Sequence, residues 1–108
     1  MPVLTNPVNT RLEILKTIYK LSGKKSDLTI KLHPAQIDGG YYSEIKYQLR
    51  FLSERGLVDF KKSFIYGRFQ VSLTAEGLQL MDDMYGALKL SEAEKEEQLN
   101  KCFAKLRT

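Results

Sequence analysis

The stretch 41–60 constrains the fold more than any other part of this 108-residue chain. Ile45, Leu49 and Leu52 recur at spacings of four and three, which places them in one apolar stripe of an α-helix. Gly56 follows at the position where a left-handed residue ends many helices, and a β-prone run begins directly after it. The stretch therefore predicts a helix that leads through a glycine into a strand.

The residues on the N-terminal side of this helix predict a helix, a strand and a second, very short helix. Asn9 or Thr10 can cap the first helix, whose broad apolar face runs to about Ser22. Residues 28–32 alternate apolar and polar side chains, which is typical of a strand with one buried face. The short helix is predicted over residues 34–38, because a proline at its start suits a first helical turn.

The residues on the C-terminal side predict a β-hairpin and two further helices. Two strands, over 58–63 and 67–73, are separated by a short turn. Thr74 can cap the next helix, and Ser91 with Glu94 fits a capping box at the start of the last one. The apolar stripe of the first of these helices consists of Leu78, Met81, Tyr85 and Leu88. The predicted class is α+β, with a three-helix core, a small antiparallel sheet and C-terminal helices.

Length, composition and charge indicate one small domain with an appended helix. Hydrophobic residues make up 43% of the chain, enough for a single modest core. We expect an N-terminal arm over residues 1–8, the main domain over 9–90 and a C-terminal helix over 91–108. The net charge of +4 lies entirely in residues 1–90, since positive and negative residues balance in the tail. Such an excess permits binding to a polyanion without requiring it.

Cysteine usage and hydropathy predict a cytoplasmic protein. Cys102 is the only cysteine, which excludes an internal disulfide and a cysteine metal cluster. No run approaches the roughly 18 consecutive apolar residues of a membrane span. The N-terminus also lacks the basic and apolar regions of a secretion signal. We therefore expect a reducing, cytoplasmic compartment and no membrane partner.

Three segments resemble those of winged helix-turn-helix proteins. The segment Leu49–Phe60, LRFLSERGLVDF, resembles the L-x-x-L-x-x-x-G-L-[IV] ending of recognition helices across that superfamily. The segment Leu73–Gly77, LTAEG, is similar to the junction between the wing and the following helix. Together with YYSEIKYQL, they look like small winged-helix proteins of bacteria and their mobile elements, phages included. The resemblance covers about residues 9–88 and implies a winged-helix fold.

The resemblance also implies a recognition helix whose N-terminal half enters the major groove of double-stranded DNA. The residues expected to contact DNA are Tyr42, Ser43, Lys46, Tyr47, Arg50, Lys61, Lys62 and Arg68. Arg50 carries five donors in a fork that suits a guanine edge or a phosphate, and Lys46 suits a phosphate. Lys61, Lys62 and Arg68 flank the hairpin, where a wing would lie on the sugar-phosphate backbone.

The same residues have a second interpretation, which the sequence leaves open. A helix face with mixed charges is usually a solvated surface, and lysines on an edge strand deter aggregation. At the hairpin tip, Phe64, Ile65 and Tyr66 could pack on the core, insert in the minor groove or meet a protein partner. The alternative function is therefore a protein–protein interaction module without specific DNA binding.

The last helix has an apolar face that must pack against another protein surface, because an isolated helix of this length is only marginally stable in water. The residues on this face are Leu99, Cys102, Phe103 and Leu106. The helix can fold back on the domain or pair with its copy. We expect a homodimer built on this face, since a two-fold dimer would present two recognition helices to a palindromic site.

No motif predicts catalysis, a metal site or a cofactor. His33 precedes a proline and has no metal-ligand spacing to other residues, so a capping or turn role is expected. Cys102 lies on an apolar stripe, which predicts a buried thiol, and Asp82-Asp83 is expected to be a solvated face. The function predicted from the sequence is thus that of a small transcriptional regulator that is not an enzyme.

Overall fold

The described part of the chain contains four α-helices and a small sheet, which confirms the predicted α+β class. A computed structural model describes residues 7–37, 42–62 and 68–107. The helices are α1 (Pro7–Leu21), α2 (Tyr42–Glu54), α3 (Ala75–Ala87) and α4 (Glu92–Ala104). The prediction that Asn9 or Thr10 caps α1 is wrong, because the helix begins at Pro7, which suits a first helical position, and contains both residues. The strands are β1 (Ile30–Leu32), β2 (Val58–Lys62) and β3 (Phe69–Leu73), and a 3₁₀ turn covers Pro34–Gln36.

β3 is the central strand, because the order in the sheet is β1-β3-β2. It pairs antiparallel with β2, and Val58 lies opposite Leu73. It also pairs antiparallel with β1, where Ile30 lies opposite Val71. The predicted pairing of two consecutive strands is confirmed, while the predicted turn and the apolar tip between them, over 63–67, lie outside the described residues.

The apolar stripe of α2 is part of the core, as predicted. Ile45, Leu49 and Leu52 are each 0% exposed and pack in one cluster with residues of α1, α3 and the sheet. Burying one such side chain stabilises the fold by roughly 1.5–3 kcal/mol. Because one face of α2 is committed to the core, the opposite face is directed to solvent.

Gly56 ends α2 as the sequence predicts. Its φ is +76°, in the left-handed region that glycine adopts without strain. Leu57 N–H donates to the carbonyl of Leu52 at 2.9 Å, and Gly56 N–H donates to the carbonyl of Ser53 at 3.0 Å. These two bonds form a Schellman motif. Since β2 begins at Val58, the motif joins α2 to the sheet without an intervening loop.

The N-terminal caps of α3 and α4 differ from each other. Thr74 Oγ1 accepts a hydrogen bond from Gly77 N–H at 3.0 Å and donates one to the carbonyl of Gly56 at 2.6 Å. Ser91 occupies the equivalent position of α4, but its side chain makes no capping hydrogen bond. The first turn of α4 is closed by the backbone bond from Lys95 N–H to the Ser91 carbonyl, at 2.7 Å. The predicted cap of α3 is confirmed and the predicted capping box of α4 is wrong.

The buried face of α3 differs from the predicted stripe. The buried residues are Gly77, Leu80, Met81, Met84 and Ala87. From the predicted stripe Met81 is buried, Leu78 and Tyr85 are half-buried, and Leu88 is 58% exposed. α3 packs against α1 and β3 and also against α4. Apolar residues therefore surround much of the helix, and their periodicity alone does not single out one face.

The C-terminal helix α4 folds back on its own domain and packs against α3. Cys102 and Leu106 are 3% and 0% exposed within the single chain, and both belong to the core. These two residues are therefore not available as the dimerisation surface that the sequence predicted. Leu99 and Phe103, the other two residues of that surface, are half-buried. Homodimerisation itself stays a prediction.

Candidate functional site

The outward face of α2 carries several of the residues predicted to contact DNA. Ser43, Tyr47 and Arg50 are exposed, and their spacings of four and three align them in one row along the helix. Tyr47 is 64% exposed, so the monomer leaves most of this aromatic side chain in water. Lys46 lies beside the row and is half-buried. The predicted outward orientation of the row is confirmed.

Tyr42 joins the start of α2 to the start of β3. Its ring stacks on that of Phe69, with the centroids 5.0 Å apart and the planes 20° apart. Phe60 on β2 meets the same Phe69 ring edge-on, at a centroid distance of 6.2 Å. Tyr42 itself remains 39% exposed. The N-terminal end of α2 therefore lies beside the region where β2 ends and β3 begins.

The cations predicted on the hairpin lie close to this stack along the chain. Arg68 is exposed and directly precedes Phe69, and Lys61 is exposed on β2, opposite Gln70. The backbone of Lys62 pairs with Phe69, while the side chain of Lys62 lies outside the described part of the structure. The fold thus brings the first residues of α2 and the cationic end of the hairpin to one region of the molecule.

Arg11 on α1 is a buried residue that the sequence interpretation missed. It is 3% exposed, and its Nε donates a hydrogen bond to Gln48 Oε1 on α2 at 2.7 Å. One terminal nitrogen of its guanidinium donates to the carbonyl of Leu106, beyond the end of α4. The guanidinium carbon lies 3.5 Å from the centroid of the Phe51 ring, in a cation–π contact. Arg11 therefore connects α1, α2 and the C-terminal segment.

The electrostatic surroundings of Arg11 extend to the surface of α2. Gln48, which is 2% exposed, donates through Nε2 to Glu44 Oε1 at 2.8 Å. Burial lowers the pKa of Arg11 from its ordinary value, the Arg55 charge lowers it further, and Tyr47 and Glu44 raise it. Since arginine starts from so high a pKa, the guanidinium stays charged. The sequence does contain a signal for the burial of Arg11, because Arg11 lies in the same helix row as apolar core residues of α1.

Arg55 makes a second connection to the C-terminal segment. Its Nη2 donates to the carbonyl of Arg107 at 2.6 Å, and its guanidinium carbon lies 4.9 Å from the centroid of the Phe51 ring. The carbonyls of Leu106 and Arg107 lie in the short segment after Ala104, the last residue of α4. Arg11 of α1 and Arg55, which directly follows α2, thus both bind the segment after α4, in accord with the negative end of the α4 dipole.

Tyr19 and Asp82 form a separate polar contact between α1 and α3. Tyr19 is 6% exposed and donates its hydroxyl proton to Asp82 Oδ1 at 2.8 Å. The ring of Tyr19 stacks on Tyr85 with the centroids 5.2 Å apart. Burial, together with the hydrogen bond and the charge of Asp82, raises the pKa of Tyr19 to about 12. Asp82 is exposed as predicted, but it also has this structural role.

His33 caps the 3₁₀ turn, as predicted. Its Nδ1 accepts a hydrogen bond from Ala35 N–H at 3.0 Å. Its backbone N–H donates to Gln36 Oε1 at 2.7 Å, which completes a reciprocal capping box. Both of these polar groups of His33 are therefore used within the turn.

The prediction of a buried thiol is confirmed, because Cys102 is 3% exposed. Burial raises the pKa of the Cys102 thiol, and the charge of Asp83 raises it further. Among the described residues, no group of three or more histidines, cysteines or acids is placed to hold a metal ion. None of the helices in the described part of the chain combines the length and apolar character that crossing a membrane requires.

No protein-family model, curated protein or solved structure matches the chain. What the molecule binds must therefore be inferred from its own residues. The features that bear on binding are the outward row of α2, the stack of Tyr42 on Phe69 and the exposed cations of the hairpin.

Proposed function

We propose that the chain is a winged-helix protein that binds double-stranded DNA and acts as a small transcriptional regulator in the form of a homodimer. In this proposal α2 is the recognition helix and the β2–β3 hairpin is the wing. The order of the elements supports it, since β1 lies between α1 and α2 in the sequence and pairs with the second strand of the hairpin. The resemblance of Leu49–Phe60 and Leu73–Gly77 to winged-helix proteins supports the same assignment.

The stack of Tyr42 on Phe69 is the observation that carries the proposal. A protein that reads a groove with a helix and grips the adjacent backbone with a hairpin needs both elements on one side. The stack ties the first residue of α2 to the first residue of β3, next to the exposed Arg68. The outward row of α2 and the cations of the hairpin can therefore contact one duplex together.

The side chains in the outward row have the chemistry that such a contact requires. Arg50 can bond a guanine edge or a phosphate with two parallel N–H donors. Ser43 and Tyr47 can bond phosphate oxygens or base edges through their hydroxyl groups. Lys61 and Arg68 suit phosphates, and each phosphate they neutralise would release condensed counterions.

Glu44 is compatible with DNA at this face. A carboxylate near the groove would repel phosphates, but Glu44 is half-buried and accepts a hydrogen bond from Gln48. Its charge also interacts favourably with the buried guanidinium of Arg11. The two opposite charges offset one another, so the field at the outward face comes mainly from the exposed cations.

A homodimer would place two copies of α2 on a two-fold axis and match a palindromic site. Because Cys102 and Leu106 are used in the core, the dimer must use other residues. Leu99 and Phe103 are the members of the predicted surface that remain partly accessible. A single peak of twice the chain mass in light scattering after size exclusion is the expected result, and a monomer at all concentrations would contradict it.

The test of DNA binding uses the unmodified protein and a labelled random-sequence duplex. We expect binding in fluorescence anisotropy that weakens steeply between about 50 mM and about 200 mM salt, because phosphate contacts release counterions. Absence of binding at the lower salt concentration would contradict the proposal. A protein partner that is retained from a lysate after nuclease treatment, together with that absence, would favour the alternative of an interaction module.

A further inference from the structure

The segment that follows α4 and the buried side of α2 share one buried cation, Arg11. Arg11 donates to Gln48 on α2 and to the carbonyl of Leu106, and its guanidinium lies over Phe51. Arg55 directly follows the C-terminal end of α2. It donates a hydrogen bond to the carbonyl of Arg107, and its guanidinium lies over the same Phe51 ring. We define the arginine latch as Arg11, Arg55 and the ring of Phe51, together with the two carbonyls.

The latch makes the docking of α4 energetically dependent on the position of α2. If the C-terminal segment withdrew, Arg11 would lose an acceptor while its charge stayed buried, and leaving a buried charge without its partners is strongly unfavourable. The guanidinium would then have to move toward water, and this movement would break its hydrogen bond to Gln48. Gln48 in turn donates a hydrogen bond to Glu44, which lies next to the outward row. The disturbance therefore reaches the surface of α2 through three named side chains.

We infer that Arg11 is a positioning residue that couples docking of the C-terminal segment to the placement of α2, so that release of the segment loosens α2 and weakens DNA binding. The DNA consequence rests on the proposed function, whereas the coupling of the two helices does not. By linkage, anything that withdraws the C-terminal segment would lower the affinity for DNA. Bound DNA would shift the equilibrium of the segment toward its docked position by the same factor.

The first experiment measures amide hydrogen exchange by mass spectrometry in the full chain and three variants. Arg11→Met removes the charge and the hydrogen bonds but keeps an unbranched side chain. Arg55→Met removes the bond to Arg107, and because Arg55 is exposed this variant is expected to fold even where Arg11→Met does not. Lys20→Met is the matched control, since Lys20 is an exposed cation on the same helix as Arg11.

Arg11→Met is expected to raise the exchange of amides in α2 and in the last turns of α4 by at least about fivefold. Exchange in β3 should stay close to that of the unmodified protein, because the coupling does not pass through the sheet. Arg55→Met should affect the same two helices more weakly, and Lys20→Met should affect neither. Faster exchange in α4 with unchanged α2, unchanged exchange in both, or an equal rise in β3 would overturn the coupling.

The thiol of Cys102 gives a second readout of docking. Because Cys102 lies on the docked face of α4 and is the only cysteine, its reaction with an aromatic disulfide reports opening of that helix. Arg11→Met and Arg55→Met should speed this reaction under native conditions, while Lys20→Met should not. Equal rates in all four proteins would overturn the role of the latch in docking.

The third measurement addresses DNA and separates the inference from the proposed function. Arg11→Met should weaken binding to the random duplex by at least about fivefold without changing the salt dependence, since a buried guanidinium neutralises no phosphate. A smaller salt slope would mean that Arg11 contacts DNA directly and would overturn its positioning role. If the unmodified protein binds no DNA, the proposed function fails, and hydrogen exchange and thiol reactivity still decide the coupling.

Discussion

The α-carbon of Gly77 lies against the carbonyl of Leu57, so closely that a Cβ at this position would be 2.0 Å from the carbonyl oxygen. The contact brings the first turn of α3 onto the chain just before β2. Thr74 strengthens the same junction, because its backbone N–H donates to the Leu57 carbonyl at 3.1 Å. The LTAEG segment therefore requires glycine at position 77 for a steric reason, and this requirement concerns the fold and not the function.

Gly77→Ala is expected to destabilise the protein by roughly 2–3 kcal/mol, since the new methyl group meets backbone atoms that cannot rotate away. Gly86→Ala is the matched control, because Gly86 lies in the same helix with nothing within 4 Å of an added Cβ. There alanine should stabilise the helix by about 0.5–1 kcal/mol. Urea denaturation followed by circular dichroism measures both changes, and equal effects of the two substitutions would contradict the steric explanation.

Thr74→Ala is expected to reduce the free energy of unfolding by about 1–2 kcal/mol, because it removes the cap of α3 and the bond to the Gly56 carbonyl. Ser91→Ala changes the corresponding position of α4, where the side chain makes no capping hydrogen bond. That variant should stay within about 0.5 kcal/mol of the unmodified protein. Should Ser91→Ala prove as damaging as Thr74→Ala in urea denaturation, the difference between the two caps would be refuted.

The phenol of Tyr19 should make the protein less stable in strong base. The pKa of Tyr19 is about 12 in the folded state, whereas it has the ordinary value of 10.0 in the unfolded chain. Between these values the unfolded state binds fewer protons, so rising pH favours unfolding. Below pH 10.0 this contribution to stability is fully present.

Tyr19→Phe removes the titrating group and isolates its contribution. The unmodified protein should lose more of its free energy of unfolding between pH 10 and pH 12 than Tyr19→Phe does. Urea midpoints at several pH values measure the two curves, and the other tyrosines and lysines serve as a background common to both proteins. Parallel curves would show that Tyr19 ionises alike in the folded and unfolded states.

Local signals in the sequence predicted the scaffold well. Ile45, Leu49 and Leu52 are buried as their spacing requires, and Gly56 and Thr74 end one helix and begin another as their chemistry predicts. Each of these predictions depends on neighbours a few residues away, where helix geometry and capping rules are strong. The outward orientation of the α2 row follows from the same geometry.

The sequence predicted the long-range contacts poorly. Arg11 bonds Gln48, 37 residues away, and Leu106, 95 residues away, and no local pattern encodes such a pairing. Polar residues in an apolar row, as at Arg11 and Gln48, indicate a buried partner without identifying it. The wrong prediction that Cys102 lies in a dimer interface has the same cause. α3 presents one apolar face to α1 and β3 and a second one to α4, and the sequence of α3 does not show which apolar residues belong to which face.

Duplex binding by the double variant Lys46→Gln/Arg50→Gln tests the central claim most directly. The comparison is with the unmodified protein and with Lys101→Gln, which removes an exposed cation of α4 that pairs with Glu97. If the outward face of α2 meets DNA, the double variant should bind more weakly and its salt slope should fall by about 1–2, while Lys101→Gln should match the unmodified protein. Unchanged affinity together with an unchanged salt slope in the double variant would contradict DNA recognition by α2.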